Sequence, residues 1–308
     1  MENSGSGSIS RNRRLGSFFN TSSSPTAKRT LENSDKEVGH KVDVNEDGLG
    51  FKLISWVRIL ACFIMIVVTT LMWSLIMLVL LPWPYESIKQ GNMYGHVTGR
   101  LIMWILGNPL KIEGDEFANK RAIFISNHAS PLDIFLLMRL TPTGTVSIEK
   151  KEIIWYPLLG QLYVLANRLR IDRSNPAAAI ESLKEAAKAV VRKKLSLVIF
   201  PEGTRSADGR LLPFKKDFVH LALQTGLPIV PIVLVGTHRA RRKDRLRVTP
   251  LTLKFLPPIR TDYWTAEKID EYIKMIHDLY VQHLPDSQRP LLHKWSPEMP
   301  KLACKVRR

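Results

Sequence analysis

The segment RAIFISNHASPLDIFLL, from Arg121 to Leu137, decides the fold because it joins the pattern of a buried strand to that of a helix. Its first part is mostly apolar and stops at a polar cluster that contains His128. A helix start follows, with Ser130 as the N-cap, Pro131 at the first helical position and Asp133 three residues after the cap. The segment therefore predicts a strand, a tight connection that carries His128, and a helix with Asp133 in its first turn.

The chain repeats this alternation of strands and helices. Short apolar or β-branched runs predict strands, and they read RAIFIS, GTVSI, LSLVIF, IVPIVLV and VTPLTLKFL. Segments with helical periodicity lie at about 176–194, 215–224 and 267–283. Such alternation is typical of a layered α/β fold. We therefore expect one β-sheet flanked by helices over residues 108–285.

An uncharged run near the N-terminus predicts a membrane helix. It extends from Ile59 to Leu81, which is 23 residues, or about 35 Å of helix and enough to cross the hydrocarbon core. Trp56 and Trp83 flank it, where interfacial aromatic residues belong. A second apolar segment, 97–106, is too short to span, so it would lie in the interface, form a re-entrant hairpin or lead as a packed helix into the domain.

The chain is thus divided into four parts. Residues 1–50 are rich in Ser, Asn, Gly and charge, and we expect them to be a disordered tail. Residues 51–107 hold the membrane-associated helices, and 108–285 hold the α/β domain. Residues 286–308 are expected to form a basic C-terminal tail.

The composition indicates an anionic partner. Lysine and arginine number 45 against 28 acidic residues, which gives a formal net charge of +17. This excess suits nucleic acid, an anionic membrane surface or small phosphorylated substrates, and composition alone leaves the three open. The two cysteines, Cys62 and Cys304, argue against a disulfide framework and against a thiolate metal site.

His128 and Asp133 are the first candidates for catalysis. A carboxylate that hydrogen-bonds one imidazole nitrogen fixes the tautomer and makes the other nitrogen a better base. The sequence has no G-x-S-x-G motif to supply a serine nucleophile, so the base would act on a hydroxyl of the substrate. Two other interpretations stay open: Asp133 caps a helix beside a surface histidine, or His128 activates Ser126 or Ser130 in a hydrolase.

A second strand ends in a polar cluster, in the segment LVIFPEGTRS from Leu197 to Ser206. Gly203 permits an unusual backbone angle, Thr204 offers a hydroxyl donor, and Arg205 offers a planar fork suited to phosphate. Lys215 follows near a helix start, where anions are also favoured. We expect the two clusters to meet at one end of the sheet.

These blocks resemble the signatures of the glycerolipid acyltransferases. NHASPLD is similar to the N-H-x-x-x-x-D block of that family, and FPEGTRS is similar to its second signature. IDRSNP and LPIVPIVLVGTH resemble two further blocks of the family. The similarity extends from about Trp56 to Leu284, and within the family it points to the microsomal lysophosphatidate acyltransferases of plants.

The resemblance implies that the sheet is mixed, and it implies a reaction and a set of site residues. An acyl group would pass from acyl-CoA, the co-substrate, to the sn-2 hydroxyl of 1-acyl-glycerol 3-phosphate and give phosphatidate, with no metal, no other cofactor and no covalent acyl-enzyme. His128 would be the general base and Asp133 its orienting partner. The acceptor would be held by Glu202, Gly203, Thr204 and Arg205, with Arg205 and Arg173 on its phosphate; Lys215 joins this set because it lies near a helix start. A backbone amide near His128 or Gly203 would stabilise the oxyanion.

Partners and location follow in the same way. The lipid bilayer is the expected partner, in the endoplasmic reticulum membrane or, as the alternative, a plastid membrane. Within the same class, the acceptor would instead be another lysophospholipid or glycerol 3-phosphate. Two alternatives belong to other functional classes: a membrane-anchored hydrolase and a nucleic-acid-binding protein. The best patch for nucleic acid is HRARRKDRLR, His238 to Arg247, but no aromatic residues interleave with its charges, so we expect no nucleic-acid partner.

Overall fold

The domain is built on a central β-sheet with helices on both faces. The computed structural model describes residues 49–150, 155, 160, 164, 169–171, 176–242 and 245–291. The strands within these residues are β1 (Leu110–Glu113), β2 (Ile123–Ser126), β3 (Thr145–Lys150), β4 (Leu169–Ile171), β5 (Ser196–Ile199), β6 (Ile229–Val235), β7 (Arg241–Arg242), β8 (Arg245–Leu246) and β9 (Leu251–Phe255). The helices are α1 (Leu49–Val79), α2 (Pro84–Leu106), α3 (Leu132–Leu140), α4 (Pro176–Arg192), α5 (Asp217–Thr225) and α6 (Ile269–His283).

Seven of these strands form one sheet, in the order β1-β9-β6-β2-β5-β3-β4, and β7 pairs with β8 in a separate hairpin. Neighbouring strands of the sheet run parallel except β6 and β9, which pair antiparallel. The prediction of an α/β fold with one mixed sheet is therefore confirmed. β2, which leads to His128, is the central strand.

Both faces of β2 are buried, as is usual where helices cover a largely parallel sheet on each side. Ile123 and Ile125 belong to the core shared with α4, α5 and α6, whereas Phe124 belongs to the core shared with α2 and α3. All three side chains are inaccessible to solvent. The strand that carries the candidate base is thus fixed from above and below.

The first predicted membrane segment belongs to a longer helix. α1 begins at Leu49 and ends at Val79, and among the described residues it is the one helix long and apolar enough to cross a membrane. The second segment, 97–106, is the C-terminal part of α2 and packs against α3. The segment therefore belongs to a packed helix that leads into the domain, and its placement relative to a membrane stays a prediction.

α1 pairs with α2 along one face and exposes apolar side chains on the other. The Arg58 guanidinium donates to Leu106 O at 3.3 Å, and the Thr70 and Tyr94 hydroxyls lie 2.9 Å apart, so the two helices are antiparallel. Exposed apolar residues of α1 include Trp56, Leu60, Phe63, Ile64, Val68, Leu71 and Leu75. A surface of this kind needs an apolar partner.

The two predicted tails lie mostly outside the described residues, which begin at Leu49 and end at Leu291. Asp286–Gln288 forms a 3-10 turn, and the Gln288 side chain is buried. The packed domain therefore extends past the predicted boundary at residue 285.

Glycines of α2 permit a close approach of α3. A Cβ on Gly99 would lie 2.5 Å from the backbone oxygen of Phe135, and one on Gly95 would lie 3.1 Å from the Met138 side chain. Because α3 carries Asp133, this crossing helps to determine where that carboxylate lies.

Replacing Gly99 by alanine is expected to destabilise the protein by about 1–3 kcal/mol, because overpacking forces the two helices apart. The matched control is Gly50→Ala, since a Cβ at that helical position would meet nothing within 4 Å. Thermal unfolding of the detergent-purified protein should show a lower midpoint for Gly99→Ala alone. Equal midpoints for the two variants would contradict a close crossing of α2 and α3.

Candidate active site

The two polar clusters meet at one edge of the sheet, because β2 and β5 are adjacent parallel strands that end there. His128 follows β2, and the block from Glu202 to Arg205 follows β5. Two hydrogen bonds join them: the His128 N–H donates to Glu202 Oε1 at 2.7 Å, and the Ser206 N–H donates to the His128 carbonyl at 2.8 Å. The expected convergence is therefore present in the fold.

His128 and Asp133 form a hydrogen-bonded pair within the strand-to-helix connection. His128 Nδ1 lies 2.9 Å from Asp133 Oδ2, and the same oxygen accepts the N–H groups of Ala129 and Ser130, each at 2.7 Å. The Asp133 side chain is fully buried, and that of His128 is 12% exposed. With Nδ1–H donating to the carboxylate, Nε2 is the nitrogen left to take a proton.

Asp133 caps the helix and holds the histidine at the same time. Ser130 Oγ accepts the Leu132 N–H at 3.3 Å, while the Asp133 carboxylate reaches back to the Ser130 N–H, as the acidic residue of a capping box does. α3 begins at Leu132 with Pro131 in the N-cap position, one residue later than the sequence pattern placed the cap. The capping and orienting interpretations of Asp133 are thus compatible.

Phe200 fixes the plane of the imidazole. Its ring stacks on that of His128, with centroids 4.0 Å apart and planes 19° from parallel. Phe200 directly follows β5 and comes two residues before Glu202. Sequence reasoning missed this contact, since Phe200 read only as the last apolar residue of a strand.

Glu202 is buried beneath the site and bonds to backbone. Its Oε1 accepts the His128 N–H at 2.7 Å, and its Oε2 accepts the Leu212 N–H at 3.2 Å. The side chain is only 3% exposed. Burial raises the pKa of this carboxyl to about 8, and the two backbone donors oppose that shift. These contacts favour a role in holding the loops, and the predicted contact with an acceptor stays a prediction.

Gly203 lets the Lys215 side chain lie against the backbone. Its φ is +68°, and a Cβ there would lie 2.7 Å from Lys215 Nζ. Thr204 and Arg205 follow with exposed side chains. Three of the predicted binding residues, Thr204, Arg205 and Lys215, are thus exposed and carry a hydroxyl or a positive charge. Groups of this kind bind anions in proteins.

Some backbone N–H groups near the site already donate hydrogen bonds, and others do not. The N–H groups of His128, Ala129 and Ser130 are taken by carboxylates, and the Gly203 N–H donates to Phe200 O at 3.0 Å. Those amides are therefore occupied, and the prediction of an oxyanion donor near His128 or Gly203 stays a prediction. The N–H groups of Thr204 and Arg205 make no hydrogen bond within the described part of the chain.

Two further residues are Arg173, which the sequence predicted, and His238, which it did not single out. Arg173, predicted to contact phosphate, lies outside the described residues. His238, after β6, packs its ring on Gly209, where a Cβ would lie 2.5 Å from His238 Cγ. Burial lowers the pKa of His238, with Arg239 acting in the same direction. The sequence signal for His238 was its position just after the end of a predicted strand, β6.

Known proteins resemble this chain over most of its length. A family model described as Acyltransferase matches residues 109–235, which include both polar clusters. A Cocos nucifera protein named 1-acyl-sn-glycerol-3-phosphate acyltransferase is 60% identical over 298 residues, covering 96% of this chain and 97% of that protein. A Limnanthes douglasii protein of the same name is 60% identical over 256 residues, covering 82% and 91% respectively.

A solved structure shares the fold. The crystal structure of the 1-acyl-sn-glycerophosphate acyltransferase from Thermotoga maritima superposes with a TM-score of 0.60 and 24% sequence identity. The match covers 73% of this chain and 93% of that chain. At this identity the likeness supports the architecture described above.

Glu202→Gln is expected to flatten the pH dependence of stability. Because burial raises the pKa of the carboxyl from 4.5 to about 8, the folded state holds the proton more tightly than the unfolded state does. The resulting stabilisation is complete below about pH 4.5 and lost as the pH rises through about 8. The free energy of unfolding of the wild type should therefore fall relative to the variant across this window, by up to about 1.4 kcal/mol per pH unit.

Denaturant unfolding of both proteins at several pH values measures this difference, and titrations common to both proteins cancel in it. Parallel pH profiles for the wild type and Glu202→Gln would mean that the two backbone donors keep the carboxylate ionised despite its burial.

Proposed function

Because this chain belongs to the 1-acyl-sn-glycerol-3-phosphate acyltransferase family, we propose that it transfers an acyl group from acyl-CoA to the sn-2 hydroxyl of 1-acyl-sn-glycerol 3-phosphate and forms phosphatidic acid. The observation that carries this proposal is the 2.9 Å contact between His128 Nδ1 and the buried Asp133 carboxylate. It lies at the sheet edge that also presents the exposed Thr204 and Arg205.

In the proposed mechanism His128 is the general base. Its Nε2 takes the proton of the acceptor hydroxyl as the hydroxyl oxygen attacks the thioester carbonyl carbon. The tetrahedral intermediate collapses, the carbon–sulfur bond breaks, and the leaving thiolate receives the proton from Nε2. Asp133 stabilises the imidazolium between these two steps and prevents the ring from turning.

The anionic head of the acceptor lies, in this proposal, against the loop after β5. Arg205 and Lys215 supply positive charge, and Thr204 supplies a hydroxyl. Gly203 is needed so that the Lys215 side chain can lie across its backbone. Arg173 remains a proposed second phosphate contact.

The oxyanion of the intermediate needs a donor that is not already engaged. The amides of His128 and Gly203 are bonded to Glu202 and Phe200. We therefore assign this role to the N–H group of Thr204 or Arg205, since neither makes a hydrogen bond within the described part of the chain.

The neighbouring serines favour direct transfer over hydrolysis through a seryl intermediate. Ser126 is fully buried and its hydroxyl donates to Asn127 O at 3.1 Å. Ser130 is buried and its Oγ accepts the Leu132 N–H. A nucleophilic serine needs an exposed hydroxyl bonded to the base, and neither residue has that geometry.

The apolar face of α1 suits an enzyme whose substrates both carry acyl chains. α1 packs lengthwise on α2, which carries Glu86, Lys89 and Arg100. Ionisable residues are costly in the hydrocarbon core, so immersion of the exposed face of α1 in one leaflet fits this packing better than an isolated span. We propose the endoplasmic reticulum membrane as the location, with a plastid membrane as the alternative that fractionation would distinguish.

His128→Ala is expected to abolish transfer, with a loss of at least about 10²-fold in rate, because general-base catalysis contributes about 10²–10⁴-fold. Membranes with equal amounts of wild type and variant receive labelled acyl-CoA with or without 1-acyl-sn-glycerol 3-phosphate. Phosphatidate should form only in the wild type and only with the acceptor. His283→Ala is the control, since that side chain bonds within its own helix, to Leu279 O at 2.9 Å.

Each other outcome of this assay has a distinct meaning. Equal activity in His128→Ala would remove His128 from the mechanism. Free fatty acid in place of phosphatidate would support a hydrolase. Transfer to glycerol 3-phosphate or another lysophospholipid, but not to 1-acyl-sn-glycerol 3-phosphate, would change the acceptor.

Gly203→Ala is expected to raise the KM for the phosphorylated acceptor about tenfold, equivalent to about 1.4 kcal/mol of binding, because the new Cβ would displace Lys215. Gly226→Ala is the matched control: its φ of +63° imposes similar backbone strain, but a Cβ there meets nothing within 4 Å. A rise of the same size in both variants would attribute the effect to strain and not to Lys215.

A further inference from the structure

Tyr280 reaches from α6 into the sheet directly beneath the candidate active site. The side chain is fully buried. Its hydroxyl donates to Ile125 O at 2.7 Å and accepts the Ile232 N–H at 3.2 Å. These two groups belong to different strands, β2 and β6, so one hydroxyl contacts both strands shortly before His128.

The two groups form one rung of the ladder between β2 and β6. The ladder begins with the bond from the Ile123 N–H to Pro228 O, at 2.9 Å. Ile125 pairs with Pro231, so in a parallel ladder Ile125 O accepts the N–H of the next residue of β6, Ile232. Tyr280 therefore adds a third member to a rung near the end of β2.

Past this rung, side chains continue the connection between the strands. Asn127 donates to Leu234 O at 2.9 Å and accepts the Leu234 N–H at 2.8 Å. Gln288 accepts the Gly236 N–H at 2.9 Å. Side-chain contacts thus help to set the position of His128 relative to β6, and the contact of Tyr280 is the first of them along β2.

The ring of Tyr280 supports a second part of the site. It packs edge-on against Phe214, with ring centroids 5.2 Å apart, and Phe214 also contacts Phe218 in the core. Phe214 immediately precedes Lys215. The hydroxyl of one tyrosine therefore touches the strand that leads to His128, while its ring touches the segment that leads to Lys215.

We propose that Tyr280 is a positioning residue for acyl transfer, whose hydroxyl fixes the end of β2 against β6 and thereby sets the distance between His128 and the bound acceptor. This inference rests on the proposed function, because it requires His128 to act as the base. A misplacement of about 1 Å costs about 10²-fold in rate. Loss of the hydroxyl should therefore act on kcat, whereas loss of the ring should also act on acceptor binding.

Three variants separate these effects. Tyr280→Phe removes the hydroxyl and keeps the ring against Phe214, whereas Tyr280→Leu removes both contacts. Tyr272→Phe is the control, since Tyr272 is a buried tyrosine of the same helix whose hydroxyl accepts a backbone N–H, from Thr265 at 3.1 Å. For each we would measure kcat, the KM for 1-acyl-sn-glycerol 3-phosphate and the midpoint of thermal unfolding.

Tyr280→Phe should lower kcat about tenfold or more with little change in KM, while Tyr272→Phe keeps the wild-type kcat despite a similar fall in the unfolding midpoint. Tyr280→Leu should raise KM as well. The proposal is overturned if the kcat of Tyr280→Phe matches that of Tyr272→Phe, or if in both variants kcat falls in step with thermal stability. His128→Ala, assayed in parallel, separates failure of the proposed function from failure of the positioning role. An active His128→Ala overturns both. An inactive His128→Ala beside a Tyr280→Phe of normal kcat overturns the positioning role alone.

Discussion

A carboxylate that is fully removed from water must find hydrogen-bond donors, and in this protein Asp133 finds them within its own turn. Its Oδ2 accepts from His128 Nδ1 and from the N–H groups of Ala129 and Ser130. An unpaired buried charge costs several kcal/mol, so the chain cannot relax this turn without losing stability. The helix start, the tight connection and the orientation of the imidazole are therefore consequences of one side chain.

The edge of the sheet poses a related problem, which buried polar side chains solve. Where strands end, backbone N–H and C=O groups lose their ladder partners and must be satisfied in another way. Glu202 satisfies the His128 N–H from the side of β5, and Asn127 and Tyr280 bond backbone groups of β6. These polar side chains are buried, whereas Thr204 and Arg205 are exposed. In the proposed function, the buried residues hold the loop and the exposed ones contact the acceptor.

The helix with the exposed apolar face, α1, is connected to the His128–Asp133 pair by close packing. α1 lies against α2, and α2 lies against α3 at Gly99, where even a methyl group would meet the Phe135 backbone. α3 in turn begins with the turn that holds Asp133. In the proposed function, this arrangement keeps the base at a fixed height relative to the membrane surface. An acceptor with an apolar tail and an anionic head can then reach His128 while its tail stays in lipid.

Local features of the fold and site were determined by the sequence. The apolar run before His128, the capping pattern around Asp133 and the polar block after a second strand depend on neighbours in the chain, so they predicted a strand, a helix start and a shared sheet edge. Residue periodicity carries no information on strand direction or on partners distant in sequence. The antiparallel β9, the stacking of Phe200 and the inward turn of Glu202 were therefore decided by the tertiary structure alone. Tyr280 is the clearest case, since its hydroxyl bonds a residue 155 positions away, and only packing of α6 on the sheet brings the two together.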